Sequence, residues 1–438
     1  MWNLLANRTY RHLFAAQVIA LVGTGLATVA LGLLAFDLAG QDAGMVLGTA
    51  LAIKMAAYVL VAPVATALAQ GLPRRTTLVA LDLVRGFVAL LLPFVSQIWQ
   101  IYLLIFILQA ASAAFTPLFQ ATIPEVLPDE REYTKALSLS RLAYDLETLL
   151  SPLLAAALLT VIGFHDLFAG TVVGFLASAV LVVSVKLPAL AKSEKRSIYE
   201  RTTRGLRVFL ATPRLRGLLA VNGAAAAAVS MVFVNTVFLV QARWGMPQSS
   251  VALALAAFGA GSIVVALALP PLLERWPDRP VMLLGVASLA VTMLLGSFFA
   301  SYPVLLVLWF LAGAGYSAAM TPTGRVIRRS AAPSDRPALF AAQFALSHGC
   351  WLLFYPLAGW AGARLGVTAT FLMLGLFGAA ATALAWRIWP EHDPEIVEHT
   401  HADLPVNASH LEKESAGTGV RHAHAYFIDD LHPSWPRS

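Results

Sequence analysis

The sequence predicts an all-α, polytopic membrane protein of twelve transmembrane helices, built as two six-helix halves. Three observations carry this: an apolar composition, twelve apolar runs of spanning length, and a motif series that returns after about 205 residues. Of 438 residues, 58% are hydrophobic and 12% charged, with a mean hydropathy of +0.73. Soluble chains carry about 25% charged residues. The composition excludes a cytosolic enzyme and a nucleic-acid reader, and the single cysteine, Cys350, excludes a disulfide scaffold.

A hydrocarbon core about 30 Å thick takes roughly 20 helical residues. Backbone facing lipid must satisfy its own hydrogen bonds, so these runs must be helices. They lie at 12–37, 44–70, 76–95, 98–121, 134–163, 165–187, 214–241, 249–273, 280–300, 302–325, 337–363 and 367–389. The first follows Arg8 and Arg11 and is too long for a signal-peptide core, so it reads as an uncleaved span. An even number places both termini on one side, and lysine and arginine choose the side. Of the 30 basic residues, 25 fall in segments on the N-terminal side, against Arg243 and Arg364 on the other and Lys54, Arg85 and Arg141 inside spans. Both termini are expected in the cytoplasm, with the body in a bacterial inner membrane. The net charge of +6 and pI near 9.5 then reflect topology and call for no nucleic acid.

The basic segment from Lys186 to Arg216 divides the spans into six and six. The expected divisions are an N-terminal half, 1–187, a cytoplasmic linker, 188–213, a C-terminal half, 214–389, and a tail, 390–438. Ser112-Ala-Ala-Phe-Thr-Pro117 returns as Ser317-Ala-Ala-Met-Thr-Pro322, and Pro128-Asp-Glu-Arg131 as Pro333-Ser-Asp-Arg336. Arg11-His-Leu-Phe-Ala15 returns as Arg216-Gly-Leu-Leu-Ala220, and Leu72-Pro-Arg-Arg75 as Trp276-Pro-Asp-Arg279. Four matches in order at a nearly constant offset indicate an internal repeat.

On these features residues 1–389 resemble the major facilitator superfamily. The resemblance implies two six-helix halves, alternating access, and basic loops after the second and eighth spans with a Gly-x-x-x-Asp-Arg-x-Gly-Arg-Arg pattern. The first loop departs from it, with Gln70 and Gly71 at the Asp-Arg positions before Arg74 and Arg75. The second keeps Glu274 and Arg275, then Pro277 and Arg279. Arg74, Arg75, Glu274, Arg275 and Arg279 are thus candidate gating residues, although positive-inside topology alone also accounts for them. Asp82 and Arg85 lie one turn apart and are expected to form a structural pair.

Ionisable groups deep in spans are costly and tend to face protein or water. Arg141 and Asp145 are spaced i, i+4 and share a face, whereas Glu147 points about 200° from Asp145. These three, with Lys54, Asn222 and Asn235, are candidates along a transport pathway; Gln17, Thr24 and Thr28 add polar groups in the first span. His348 and Cys350 lie mid-span, and the repeat carries Asp145 onto Cys350, so an imidazole, a thiolate and a carboxylate are candidate ligands for nickel, cobalt or zinc. No phosphate-binding Gly-x-x-x-x-Gly-Lys-Ser/Thr sequence occurs, which leaves an ion gradient, foremost protons, as the energy source.

The tail holds seven of the ten histidines, His392, His399, His401, His410, His422, His424 and His432, with nine carboxylates and three basic residues. It is expected to be disordered and acidic, and the two His-x-His pairs, with His410 and His432, are candidate cytoplasmic metal ligands. Its aromatic end, Arg421 to Pro436, suggests a segment able to fold back on the bundle. Body and tail together resemble the bacterial nickel-resistance exporters of the same superfamily. That resemblance implies proton-coupled export of nickel or cobalt, as carried or tail-bound ions with no resident cofactor. Two alternatives stay open: an exporter of a small organic molecule such as a drug or siderophore, and a metal-sensing membrane protein.

Overall fold

The computed structural model describes residues 2–39, 43–69, 72–188, 198–298, 301–393, 396–400, 421–429, 432 and 435. Among them the N-terminal half comprises α1 (Arg8–Ala39), α2 (Ala43–Ala69), α3 (Arg74–Leu91), α4 (Ile98–Val126), α5 (Glu130–Leu158) and α6 (Phe164–Val183). A linker helix, α7 (Ile198–Ala211), leads into α8 (Pro213–Val237), α9 (Gln248–Leu273), α10 (Asp278–Gly296) and α11 (Tyr302–Met320). A short α12 (Thr323–Arg328) extends α11, and α13 (Arg336–Arg364) and α14 (Val367–Ile388) complete the C-terminal half.

Eleven of these helices are long and apolar enough to cross a membrane. The predicted twelfth, α5, is long enough, but charged residues from Glu130 to Glu147 lower its apolar character. It starts earlier than the sequence suggests. Asp129 accepts a hydrogen bond from the Glu132 amide, and Glu130 and Glu132 complement the positive helix N-terminus. The helix therefore occupies 130–158, not 134–163.

Packing confirms the repeat. In the first half α1 packs on α6 and α5, α2 on α4, and α3 on α4 and α6. In the second α8 packs on α14 and α13, α9 on α11, and α10 on α11 and α14. The halves meet where α5 packs on α9 and α2 on α13, two contacts exchanged by the repeat. Small residues set the closest crossings. Gly261 of α9 lies against the Phe310 backbone of α11, and Gly313 lies against Phe258, so neither site has room for a side chain.

The linker helix is pinned beside the bundle. Arg204 donates to both carboxylate oxygens of Asp335 at 2.9 and 2.8 Å, while Gly205 approaches the backbone of Ala338. The expected disorder of the tail does not hold for its described part. Strands β1 (Ile396–Thr400) and β2 (Arg421–Ala425) pair antiparallel, and Tyr426 and Ile428 are buried in the core of the C-terminal half. The apolar contacts offered by this core explain why the aromatic end folds back.

Candidate functional site

A polar cluster lies halfway along the helices at the junction of the halves. Arg141 Nη2 donates to Asp145 Oδ1 at 2.5 Å, and Nε donates to Oδ2 at 3.2 Å. The i, i+4 spacing thus pairs them as expected. The partner invisible in sequence is Ser262 of α9, whose hydroxyl donates to Asp145 Oδ2 at 2.5 Å and accepts from Arg141 Nε at 3.2 Å. The guanidinium lies 4.4 Å from the ring centre of Tyr316 on α11. One ion pair on α5 therefore touches two helices of the other half.

Aromatic side chains surround it. Tyr316 contacts Phe258 and Trp351, and Trp351 contacts Tyr355, giving a row across α9, α11 and α13. From the first half, Tyr58 meets Phe344 and His348 of α13 with ring centres 4.9 and 4.7 Å apart, while its hydroxyl donates to Gln109 at 2.9 Å. Lys54 lies 5.6 Å over the same Tyr58 ring. Gln17 accepts from Ser140 at 3.1 Å. Tyr58, Tyr316, Trp351 and Tyr355 are half-buried, so part of each ring stays accessible.

Several sequence candidates fall elsewhere. Cys350 stands two residues from His348, about 200° around α13, and packs beside the C-terminal core. His348 packs on Tyr58 and Phe344 with Nδ1 2.7 Å from the Phe344 carbonyl oxygen. The pair cannot close on one ion, and among the described residues no three His, Cys, Asp or Glu side chains converge as a metal site. Asn222 and Gln343 exchange amide hydrogen bonds at 3.4 and 3.1 Å, and Asn235 donates to the Ala358 carbonyl at 3.1 Å. Both asparagines clasp α8 to α13 within one half. Glu147 is half-buried and faces α1 at Gly25, away from Asp145 as its spacing implies.

In the tail, the strand register sets His399 opposite His422 and Val397 opposite His424. His432 Nδ1 lies 2.8 Å from Asp429 Oδ1. His401 and His410 lie outside the described residues.

The gating candidates divide similarly. Arg74 is buried and donates to both oxygens of Glu125 at 2.6 and 2.7 Å, joining α3 to α4 inside the first half. Arg75 and Arg275 are exposed. Arg279 donates to the Trp389 and Trp386 carbonyl oxygens at 3.0 and 2.9 Å, covering the end of α14. Among the described residues, Glu274 alone of the five has a partner in the other half, Arg131 at 3.9 Å.

The main closure at the basic face is made instead by α12. Arg325 pairs with Asp278 at 2.8 Å in its own half, then reaches across to Glu130 and Thr134, each at 2.6 Å. Arg328 donates to the Pro128 carbonyl oxygen and lies over Tyr133. In the sequence Arg325, Arg328 and Arg329 stand only among the basic residues assigned to the N-terminal side. Their spacing of three and four on a helical turn was the available signal.

A family model described as Major Facilitator Superfamily matches residues 13–247 and 218–425. The chain belongs to the major facilitator superfamily. The family consists of transporters, not enzymes. Among curated relatives, the uncharacterized MFS-type transporter YfiS of Bacillus subtilis is 26% identical over 268 residues, 58% of this chain and 62% of YfiS. Macrolide efflux protein A of Streptococcus pyogenes is 24% identical over 183 residues, 41% of this chain and 44% of that protein. Both matches thus span less than two thirds of the relative. Among solved structures, the human organic anion transporter MFSD10 superposes with a TM-score of 0.75 at 15% identity, covering 86% of this chain and 99% of that one. A bacterial homologue of the iron transporter ferroportin gives 0.72 at 15%, covering 87% and 98%. At such identities these likenesses establish the fold.

Proposed function

We propose that this superfamily member is a proton-coupled exporter of an amphipathic organic molecule, working by alternating access with its basic face in the bacterial cytoplasm. The observation that carries the reading is the set of half-buried aromatic side chains around the midplane ion pair, where Tyr58, Tyr316, Trp351 and Tyr355 offer flat apolar faces beside hydroxyl groups. Ligand sites of this type combine aromatic walls with a few placed polar groups. The likeness to a macrolide efflux protein supports the same class. In this reading Arg141, Asp145 and Ser262 form a midplane latch, and Glu147, on the opposite side of α5, carries the proton.

Export of nickel or cobalt is the second reading. The His399–His422 register supports it by bringing two tail histidine positions together across a ribbon. Against it stand the separation of His348 from Cys350 and the cation of Lys54 beside the His348 ring system.

Cells with and without the gene, loaded with a panel of amphipathic organic compounds including a macrolide and, in parallel, with nickel and cobalt, separate the two. Lower accumulation of an organic compound with unchanged metal content is expected. Reduced metal content alone would reverse the ranking. Proteoliposomes carrying Glu147→Gln should lose transport driven by a pH gradient while retaining substrate exchange; unchanged gradient-driven uptake would remove Glu147 from the coupling role.

A further inference from the structure

Two buried or half-buried arginines tie the root and end of the tail to the closure at the basic face. Asp393, five residues beyond α14, accepts from Arg329 at 2.8 Å and from the Trp389 indole at 3.2 Å, and lies 3.4 Å from Arg214. Arg214 is 1% exposed at the start of α8, and its guanidinium sits 4.8 Å from the Trp435 ring centre. Trp435 packs on Tyr426 at 5.2 Å, and Tyr426 packs on buried His432 at 4.7 Å. His432 is in turn fixed by Asp429, which accepts from its backbone amide at 2.7 Å. The last described residues of the chain thus roof over Arg214 and Asp393.

Arg329 links this roof to the closure. Its Nε lies 3.8 Å from Asp278 Oδ2, while Arg325 holds Oδ1 of the same carboxylate at 2.8 Å. One carboxylate faces two guanidinium groups. Asp393 draws Arg329 toward the tail, which leaves Asp278 to orient Arg325, and Arg325 reaches Glu130 and Thr134 of the other half. Without Asp393, Arg329 competes for Asp278 and Arg325 loses its fixed direction.

We infer that the docked C-terminal segment is a strap on the gate: through Asp393 it makes Arg329 a positioning residue for the Asp278–Arg325–Glu130 closure and holds the basic face shut. The strap acts on the closed state whatever molecule is carried, so its success or failure is independent of the substrate reading. Sequence hinted at fold-back alone; the link to the gate depends on Arg329 standing between two carboxylates 115 residues apart in the chain.

The test uses the full chain in nanodiscs, where both faces meet the reagent. In a Cys350→Ala background, Leu137→Cys places a thiol where α5 faces Gly324 of α12, and Ala226→Cys places one in the C-terminal core. Maleimide labelling of Leu137→Cys is expected to rise about fivefold or more, the lower range of conformational coupling, on adding Asp393→Ala or Trp435→Ala or on deleting residues 426–438. Asp393→Glu should keep labelling low, and Ala226→Cys should stay unreactive in every variant. Equal labelling of Leu137→Cys with and without the tail changes overturns the inference. So does labelling that rises together with that of Ala226→Cys, which marks loosening of the whole half.

Discussion

In the N-terminal half, α3 carries Asp82 and Arg85 into the interior, paired with each other and with Ser178 donating to Asp82 at 2.8 Å. Arg85 is held between the rings of Phe115 and Phe175, 4.0 and 4.5 Å from their centres. The repeat carries these positions onto Val286 and Leu289 of α10, both fully buried in apolar surroundings. The consequence shows in the packing. The first half has one apolar cluster on each side of the ion pair, whereas the second has a continuous core from α8 to α14.

A second pair of equivalent sites is inverted in sign. At the start of α3, Arg74 meets Glu125; at the start of α10, Asp278 meets Arg325 and Arg329. Asp278 suits the positive end of its helix, while Arg74 opposes it and needs the bidentate carboxylate as compensation. One arginine with one glutamate is a closed account within a half. Two arginines around one aspartate leave positive charge over, and it is met by Glu130 of the other half and Asp393 of the tail. The inversion closes one junction within its half and ties the other to α5 of the opposite half and to the tail.

The largest test of this contrast removes the buried charge. Asp82→Ala strands Arg85 in the interior and is expected to cost about 3–5 kcal/mol, read as lost thermal stability in detergent. Asp82→Val with Arg85→Leu copies the second half and should recover most of the loss; failure to recover would mean the pair has a role beyond packing. Glu125→Ala should cost about 1.5–3 kcal/mol by leaving Arg74 without its charged hydrogen bonds, again as a fall in melting temperature, with no selective opening at Leu137→Cys. Gly324→Val should act oppositely, disturbing closure more than stability. A Cβ there would lie 2.5 Å from the Tyr133 hydroxyl and 2.8 Å from Leu137. Overpacking of about 1–3 kcal/mol should raise thiol labelling at the basic face with a small change in melting. Arg131→Ala should do least. Its partner Glu274 is 3.9 Å away and the two side chains are 71% and 39% exposed, so the change should be less than about 1 kcal/mol, visible as an unaltered melting temperature.

Local pairs were legible because their geometry is set by one helix. Asp82 with Arg85 and Arg141 with Asp145 follow from spacings of three and four, and the opposed directions of Asp145 and Glu147 follow from the same periodicity. Ser262 and Tyr316 were not legible, since a hydroxyl in an apolar run carries no signal until another helix presents a charge to it. The partners of Asn222 and Asn235 were hidden for the same reason: a polar residue inside a span suggests water, yet Gln343 and the Ala358 carbonyl meet them. His348 and Cys350 share the middle of one span, but helical periodicity sets them about 200° apart around α13, and among the described residues no three such ligands converge.

The sequence by itself determined the spans, their division into two halves, and the basic face, because lipid leaves the backbone few solutions and charge distribution follows topology. Only the tertiary structure decided which charges bridge the halves at the basic face, where the tail docks, and which residues of the other half meet the midplane ion pair. Several of those contacts join residues more than a hundred positions apart, as with Asp145 and Ser262 or Arg325 and Thr134. Helical periodicity gives each side chain a direction relative to its own axis; the partner waiting there depends on how the axes pack.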